Sequence, residues 1–166
     1  MSGYILDTTF ISDLGPRQTD ISLNLLAWLE EHLPECFISA ATLHEMEFGT
    51  ARLERRSVQE ARCRGDKLRR FHAMVRNLIS DRIIPVDASI AVLAGKLRAV
   101  AEPLCGDIFA CDAIIGATAA AFEHTVVTRN LRHFEAMGVQ VADSRLLRGS
   151  VKPTSESTLK LVASST

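Results

Sequence analysis

The chain has 166 residues, 47% of them hydrophobic and 23% charged, a balance that suits one domain with a sizeable core and excludes wholesale disorder. A net charge of −1 excludes a polycation built to coat nucleic acid along its whole length. The longest uncharged stretch after Asp112, "AIIGATAAAF", is far too short to span a bilayer, so no membrane association is expected.

In chain order, "YIL" at residues 4–6 predicts a short strand that delivers Asp7, Thr8 and Thr9 at its carboxyl end. A helical turn and a loop, "GPRQTD", come next. Leu23, Leu26, Trp28 and Leu29 then recur at helical spacing until Pro34 and Glu35 interrupt them. "CFISA" reads as a second strand. "TLHEMEFGTARLE" reads as a helix with Leu43, Met46 and Leu53 on one face and Thr50 as a polar interruption. A long basic helix over residues 57–79 follows, with Gly65 as a candidate break or bend.

"RIIPVD" predicts a third strand, and "ASIAVLAGKLRAVAEP" a helix ended near Pro103. "CDAIIGATAAAFEH" is apolar nearly all round and predicts a buried helix, closely packed through Gly116 and its alanines. "TVVT" is a fourth strand, "NLRHFEAMG" a short helix stopped by Gly138, and "VQVA" a fifth strand. Residues 149–166 are polar and Ser/Thr-rich and are expected to form a loosely ordered tail behind a domain of residues 1–148.

Charge is unevenly spread. Residues 51–82 hold ten Lys/Arg against four Asp/Glu, a run that suits either a solvated helix face or a surface facing phosphates or an acidic partner. Cys36, Cys63, Cys105 and Cys111 form no CxxC and no Cys/His cluster with zinc spacing. With no signal peptide ahead of the first strand, they read as reduced thiols of a cytoplasmic protein.

Strands alternating with helices predict a mainly parallel sheet covered on both faces, an α/β/α sandwich. Ligands of such sheets sit beyond the carboxyl ends of the strands, where the strand order reverses. Asp7 stands at such an end. Glu45, Asp112 and Asn130 are the other polar groups that the predicted elements can bring to the same edge. Each also has an ordinary structural explanation as a turn residue, an exposed helix acid or a helix cap. Periodicity does not choose between Glu45 and Glu47. If Asp7, Glu45 and Asp112 converge, three negative charges within a few ångströms require a proton or a cation. Carboxylate oxygens with hydroxyls suit Mg²⁺ or Mn²⁺, and such a site suits metal-dependent phosphoryl transfer or hydrolysis.

"YILDTTFISDL", "ISAATLHEMEFGTARL" and "DAIIGATAAAFEHTVVTRNLRHFEAMGVQV", in this order, resemble the PIN-domain ribonucleases, and most of all the VapC-type toxins of toxin–antitoxin pairs. The resemblance runs from residue 4 to about residue 141, and its last block is the most specific. It implies a PIN-like five-stranded α/β/α sandwich and a Mg²⁺-dependent endoribonuclease that cuts RNA with a metal-activated water. It also implies a homodimer and inhibition by a cognate antitoxin. The family's metal-binding acids fall on Asp7, Glu45 and Asp112; the acid four residues before a helix glycine selects Glu45 over Glu47. The fourth polar position, often acidic, falls on Asn130, which carries no charge. His133 stands where relatives often have an aspartate and is the rival fourth group. Two other readings remain: a phosphatase using Asp7 as nucleophile, although the usual second acid two residues on is here Thr9, and a PIN fold kept only as a binding module.

Overall fold

The computed structural model describes residues 2–15 and 23–150. Strand β1 (Tyr4–Leu6) is followed by α1 (Thr8–Asp13), α2 (Leu23–His32), β2 (Cys36–Ser39), α3 (Ala40–Glu54) and α4 (Gln59–Leu78). Then come β3 (Ile83–Ile84), α5 (Ala88–Cys105), α6 (Ala110–Ala121), β4 (Thr125–Thr128), α7 (Leu131–Ala136) and β5 (Val141–Asp143). The five strands form one parallel sheet in the order β3-β2-β1-β4-β5. The chain lays down β1, β2 and β3 in one direction and then returns to the other side of β1 with β4. The reversal of strand order therefore falls between β1 and β4, where Leu6 is paired with Val127.

Alternation along the strands divides the core in two, because successive side chains point to opposite faces. Leu6 and Val127 join Phe10, Trp28, Ile38, Met46 and Phe71 on one face. Ile5 and Val126 join Ile84, Ile90, Ile108, Ile115 and Phe134 on the other. With both faces covered, the fold is the three-layer α/β/α sandwich with a parallel five-stranded sheet that the element order predicts. α6 is buried nearly all round, and a Cβ on its Gly116 would come within 2.8 Å of Met137 Cε, so glycine is what lets α7 approach.

One local expectation is corrected. α4 runs unbroken through Gly65, whose missing side chain instead admits Glu54 of α3: an added Cβ would stand 2.9 Å from Glu54 Cγ. α5 ends near Pro103, at Cys105. The stop is Gly106, which adopts φ +83° at no steric cost while its N–H donates to the Glu102 carbonyl at 2.9 Å. Thr50, the polar residue on the apolar face of α3, is buried. Its hydroxyl donates to the Met46 carbonyl at 3.1 Å and lies 3.0 Å from His72 Nδ1, so its proton and one lone pair find partners inside the helix pair.

The "GPRQTD" loop lies outside the described residues beyond Gly15, as does the tail from residue 151 onward. Gly149 and Ser150 are described and are tied to α2, the Ser150 N–H and hydroxyl each donating to the Glu31 carboxylate at 3.0 Å. All four cysteines are free thiols, and burial pushes that of Cys36 up to about 12. Among the described residues no single helix is long and apolar enough to cross a membrane.

Candidate active site

Asp7 is delivered by β1 and caps α1: its N–H donates to the Val127 carbonyl at 3.1 Å, and its Oδ1 accepts the Thr8 N–H at 2.7 Å. Oδ2 of the same carboxylate accepts two hydroxyls, from Thr9 and from Thr128 at the end of β4, each at 2.7 Å. Thr128 in turn accepts the Asn130 N–H at 2.8 Å, and Thr9 accepts the Arg129 N–H at 3.1 Å. Asp7 is thus held by both central strands and is only 2% exposed.

α3 starts at the end of β2, where the Ser39 hydroxyl accepts the Ala41 N–H at 3.3 Å. It presents Glu45 to the same edge, and the Thr8 hydroxyl donates to its Oε2. Glu47 is exposed and stands outside this group. Asp112, in the first turn of α6 and 8% exposed, is the third acid. One carboxylate oxygen from each of Asp7, Glu45 and Asp112 lies within 4.8 Å of the other two.

Asn130 and His133, weighed as rivals from the sequence, come to one atom together. Asn130 Nδ2 donates to Asp112 Oδ2 at 3.1 Å, and His133 Nδ1 lies 2.8 Å from the same oxygen and 2.8 Å from Asn130 Nδ2. Three residues apart at the start of α7, they share one side of its first turn. Asp112 Oδ2 is held by these partners.

The electrostatics are those of a cation site. Among the described residues none of the three acids pairs with a Lys or Arg; the nearby Arg129 instead bridges to Asp13 at 3.1 Å. Burial pushes the Glu45 carboxyl above its ordinary range; the Thr8 hydrogen bond opposes this, and the Asp112 and Asp7 charges add to it. Burial likewise raises Asp112, opposed by the His133 hydrogen bond and reinforced by the Asp7 charge. Three oxygen donors, two of them buried and none paired with a Lys or Arg among the described residues, fit a hard divalent cation such as Mg²⁺ or Mn²⁺.

Two elements of this arrangement had no separate signal in the sequence: Thr128 is the donor that couples β4 to Asp7, and the Asp13–Arg129 pair closes α1 onto the β4 end. Thr8, delivered beside Asp7 by the first strand, is the hydroxyl that anchors Glu45 across the site. A hydroxyl at the end of the strand next to a strand-end acid is the pattern that points to Thr128.

Residues 4–139 match the PIN domain, a span that contains every residue of the cluster just described. The chain is 30% identical over 141 residues to the VapC ribonuclease Y4jK of Sinorhizobium fredii (strain NBRC 101917 / NGR234), covering 82% of this chain and 94% of that protein. Among solved structures, FitAcB from Neisseria gonorrhoeae aligns with a TM-score of 0.70 at 28% identity, over 87% of this chain and 99% of that one. DNA-bound VapBC from Salmonella typhimurium aligns with a TM-score of 0.62 at 25% identity, over 87% and 99% of the respective chains. The chain belongs to the PIN-domain family.

Proposed function

We propose that this protein is a divalent-cation-dependent endoribonuclease, using Mg²⁺ or Mn²⁺, and acts in the cytoplasm as the toxin of a toxin–antitoxin pair. The observation that carries this reading is the cluster of Asp7, Glu45 and Asp112, three acids without a Lys or Arg partner among the described residues, at the strand-order reversal of a chain similar to a VapC ribonuclease. A cation bound there supplies Lewis-acid stabilisation of charge on a phosphodiester and lowers the pKa of water.

The protein's own groups divide the remaining work. Asp7 and Asp112 offer buried carboxylate oxygens as ligands, and Glu45 adds a half-buried one. Thr9 and Thr128 fix the orientation of Asp7, and Asn130 with His133 fixes that of Asp112. Asn130 has a neutral amide with which to orient water or a phosphate oxygen. Residues 1–148 constitute the nuclease domain in this reading, with residues 149–166 as an appendage. Purified protein should cleave single-stranded RNA with Mg²⁺ or Mn²⁺ and stop on addition of EDTA. RNA left intact under both conditions, or cut equally in EDTA, would overturn the reading.

The cognate antitoxin is the lasting partner proposed for this site, and the similarity to FitAcB, to DNA-bound VapBC and to a VapC ribonuclease supports this reading. A homodimer is proposed as well. Its support is the outer side of α5, where Val92, Val100 and Leu104 are 59–67% exposed, more apolar surface than a lone helix on a sheet leaves uncovered. Light scattering at micromolar concentration should give twice the monomer mass; a monomer mass would remove this part of the proposal.

A further inference from the structure

Gly49 occupies the interior of α3, where glycine is less favourable to the helix than alanine. Unlike Gly65 and Gly116, it is not there to admit a neighbour: a Cβ at this position would meet nothing within 4 Å. Gly95 of α5 is equally unobstructed but stands exposed, whereas Gly49 is half-buried and forms part of a cavity wall. That cavity, of about 140 Å³, is walled by Ile11, Met46, Leu68 and Gly49, and its end is closed by Thr8 and Glu45 of the carboxylate cluster. The missing side chain is the one that would project into this space.

We infer that this cavity is a base pocket, receiving the nucleobase beside the phosphodiester held at the carboxylates, and that Gly49 keeps it open. The inference rests on the ribonuclease reading of the adjoining site. Size supports it, since an apolar cavity of about 150 Å³ takes one benzene-sized ring. Location supports it, because Glu45 belongs both to the carboxylate cluster and to the cavity wall, where Thr8 is hydrogen-bonded to it. Composition supports it as well: apolar walls with a few polar groups, here the Thr8 and Ser12 hydroxyls and the His72 ring, are what hold and orient an unstacked base. Beyond Met46 and His72 lies a second cavity of about 400 Å³ lined by Glu47, Arg69 and Arg76; Arg69 is already paired with Glu54, and Arg76 offers a positive charge to the next phosphate of a strand.

The test uses Gly49→Leu, which fills the pocket, with Gly49→Ala as a control that improves the helix and fills it least. Both should melt at or above the wild-type temperature. With the methionine methyls labelled in metal-free protein (the chain has four methionines), the Met46 resonance should move on adding one or more of the four nucleoside monophosphates and stay put with ribose 5-phosphate. Gly49→Leu should abolish that response. It should also raise KM for a short single-stranded RNA by about tenfold or more, the scale of disturbing one apolar pocket contact. Cleavage sites mapped on total RNA should lose their base preference at the position next to the cut. A Met46 response to ribose 5-phosphate alone, or an unchanged KM and base preference in Gly49→Leu, overturns the inference. So does a Gly49→Leu protein that cuts as the wild type does but escapes its antitoxin, which would assign the pocket to an antitoxin side chain. Wild-type cleavage in Mg²⁺ decides the ribonuclease reading separately, and the wild-type Met46 response decides the pocket even if Gly49→Leu fails to fold.

Discussion

Asp7→Asn lowers RNA cleavage by about a thousandfold or more, the scale seen when a group stabilising transition-state charge is removed, and leaves the fold intact. The fold survives because the amide keeps the capping role: its oxygen still accepts the Thr8 N–H, and its NH₂ faces the Thr9 and Thr128 hydroxyls, which rotate to accept instead of donate. What disappears is a buried negative oxygen. Thr128→Val forms the graded comparison, because it leaves the carboxylate and removes one of the donors that aim it. Its loss should be milder, about tenfold to a hundredfold, as for other partners that orient a metal ligand. Cleavage rates in Mg²⁺ together with circular dichroism of both variants check the pair. Wild-type cleavage by Asp7→Asn would remove the carboxylates from the reaction.

Asp112→Asn stabilises the metal-free protein at neutral pH while destroying its activity. Burial, with the Asp7 charge adding to it, raises the Asp112 carboxyl above its ordinary 3.8, so the folded chain holds that proton more tightly than the unfolded chain does. Stability from this group is therefore fully present in acid and is lost as pH rises from the unfolded value through the raised one. Glu45 acts in the same direction from its ordinary 4.5. At pH 7 both costs are in force, and the Asn side chain escapes one of them. The melting temperature of Asp112→Asn should exceed that of the wild type at pH 7, with the gap closing toward pH 4. At this chain length each recovered 1 kcal/mol appears as roughly 2–4 °C. Mg²⁺ should raise the wild-type midpoint and leave that of the variant nearly unchanged. Equal midpoints at pH 7 without metal would show that the acids do not strain the folded state.

Much of this architecture was legible in the residues because parallel sheets announce themselves through apolar runs punctuated by helices. The position of Asp7 followed from three apolar residues and the rule that such sheets bind at carboxyl ends. Helical periodicity reached its limit at Glu45 and Glu47, which both flank the Leu43/Met46 stripe. What separates them is Thr8, a residue 37 positions earlier whose hydroxyl meets only one of the two. The choice between Asn130 and His133 dissolved for a similar reason: both reach Asp112 Oδ2, a convergence that depends on how α6 packs beside α7. The partners of Thr50 and the exact stop after Pro103 were not legible, because one is satisfied by a carbonyl in its own helix and the other sits within a turn of an end that Gly106 sets.

The strand order has a bearing on how firmly the site is held. β1 and β4, which carry Asp7 and Thr128, are interior strands, each hydrogen-bonded on both sides, while the edges are left to the two-residue β3 and to β5. Local opening of a protein starts at its margins, and its interior strands part company only in global unfolding. Asp7 therefore belongs to the last unit of the structure to come apart, while Glu45 and Asp112 are brought to it by the helices α3 and α6. Fraying an edge strand leaves the Asp7 end of the site, with Thr128 beside it, assembled.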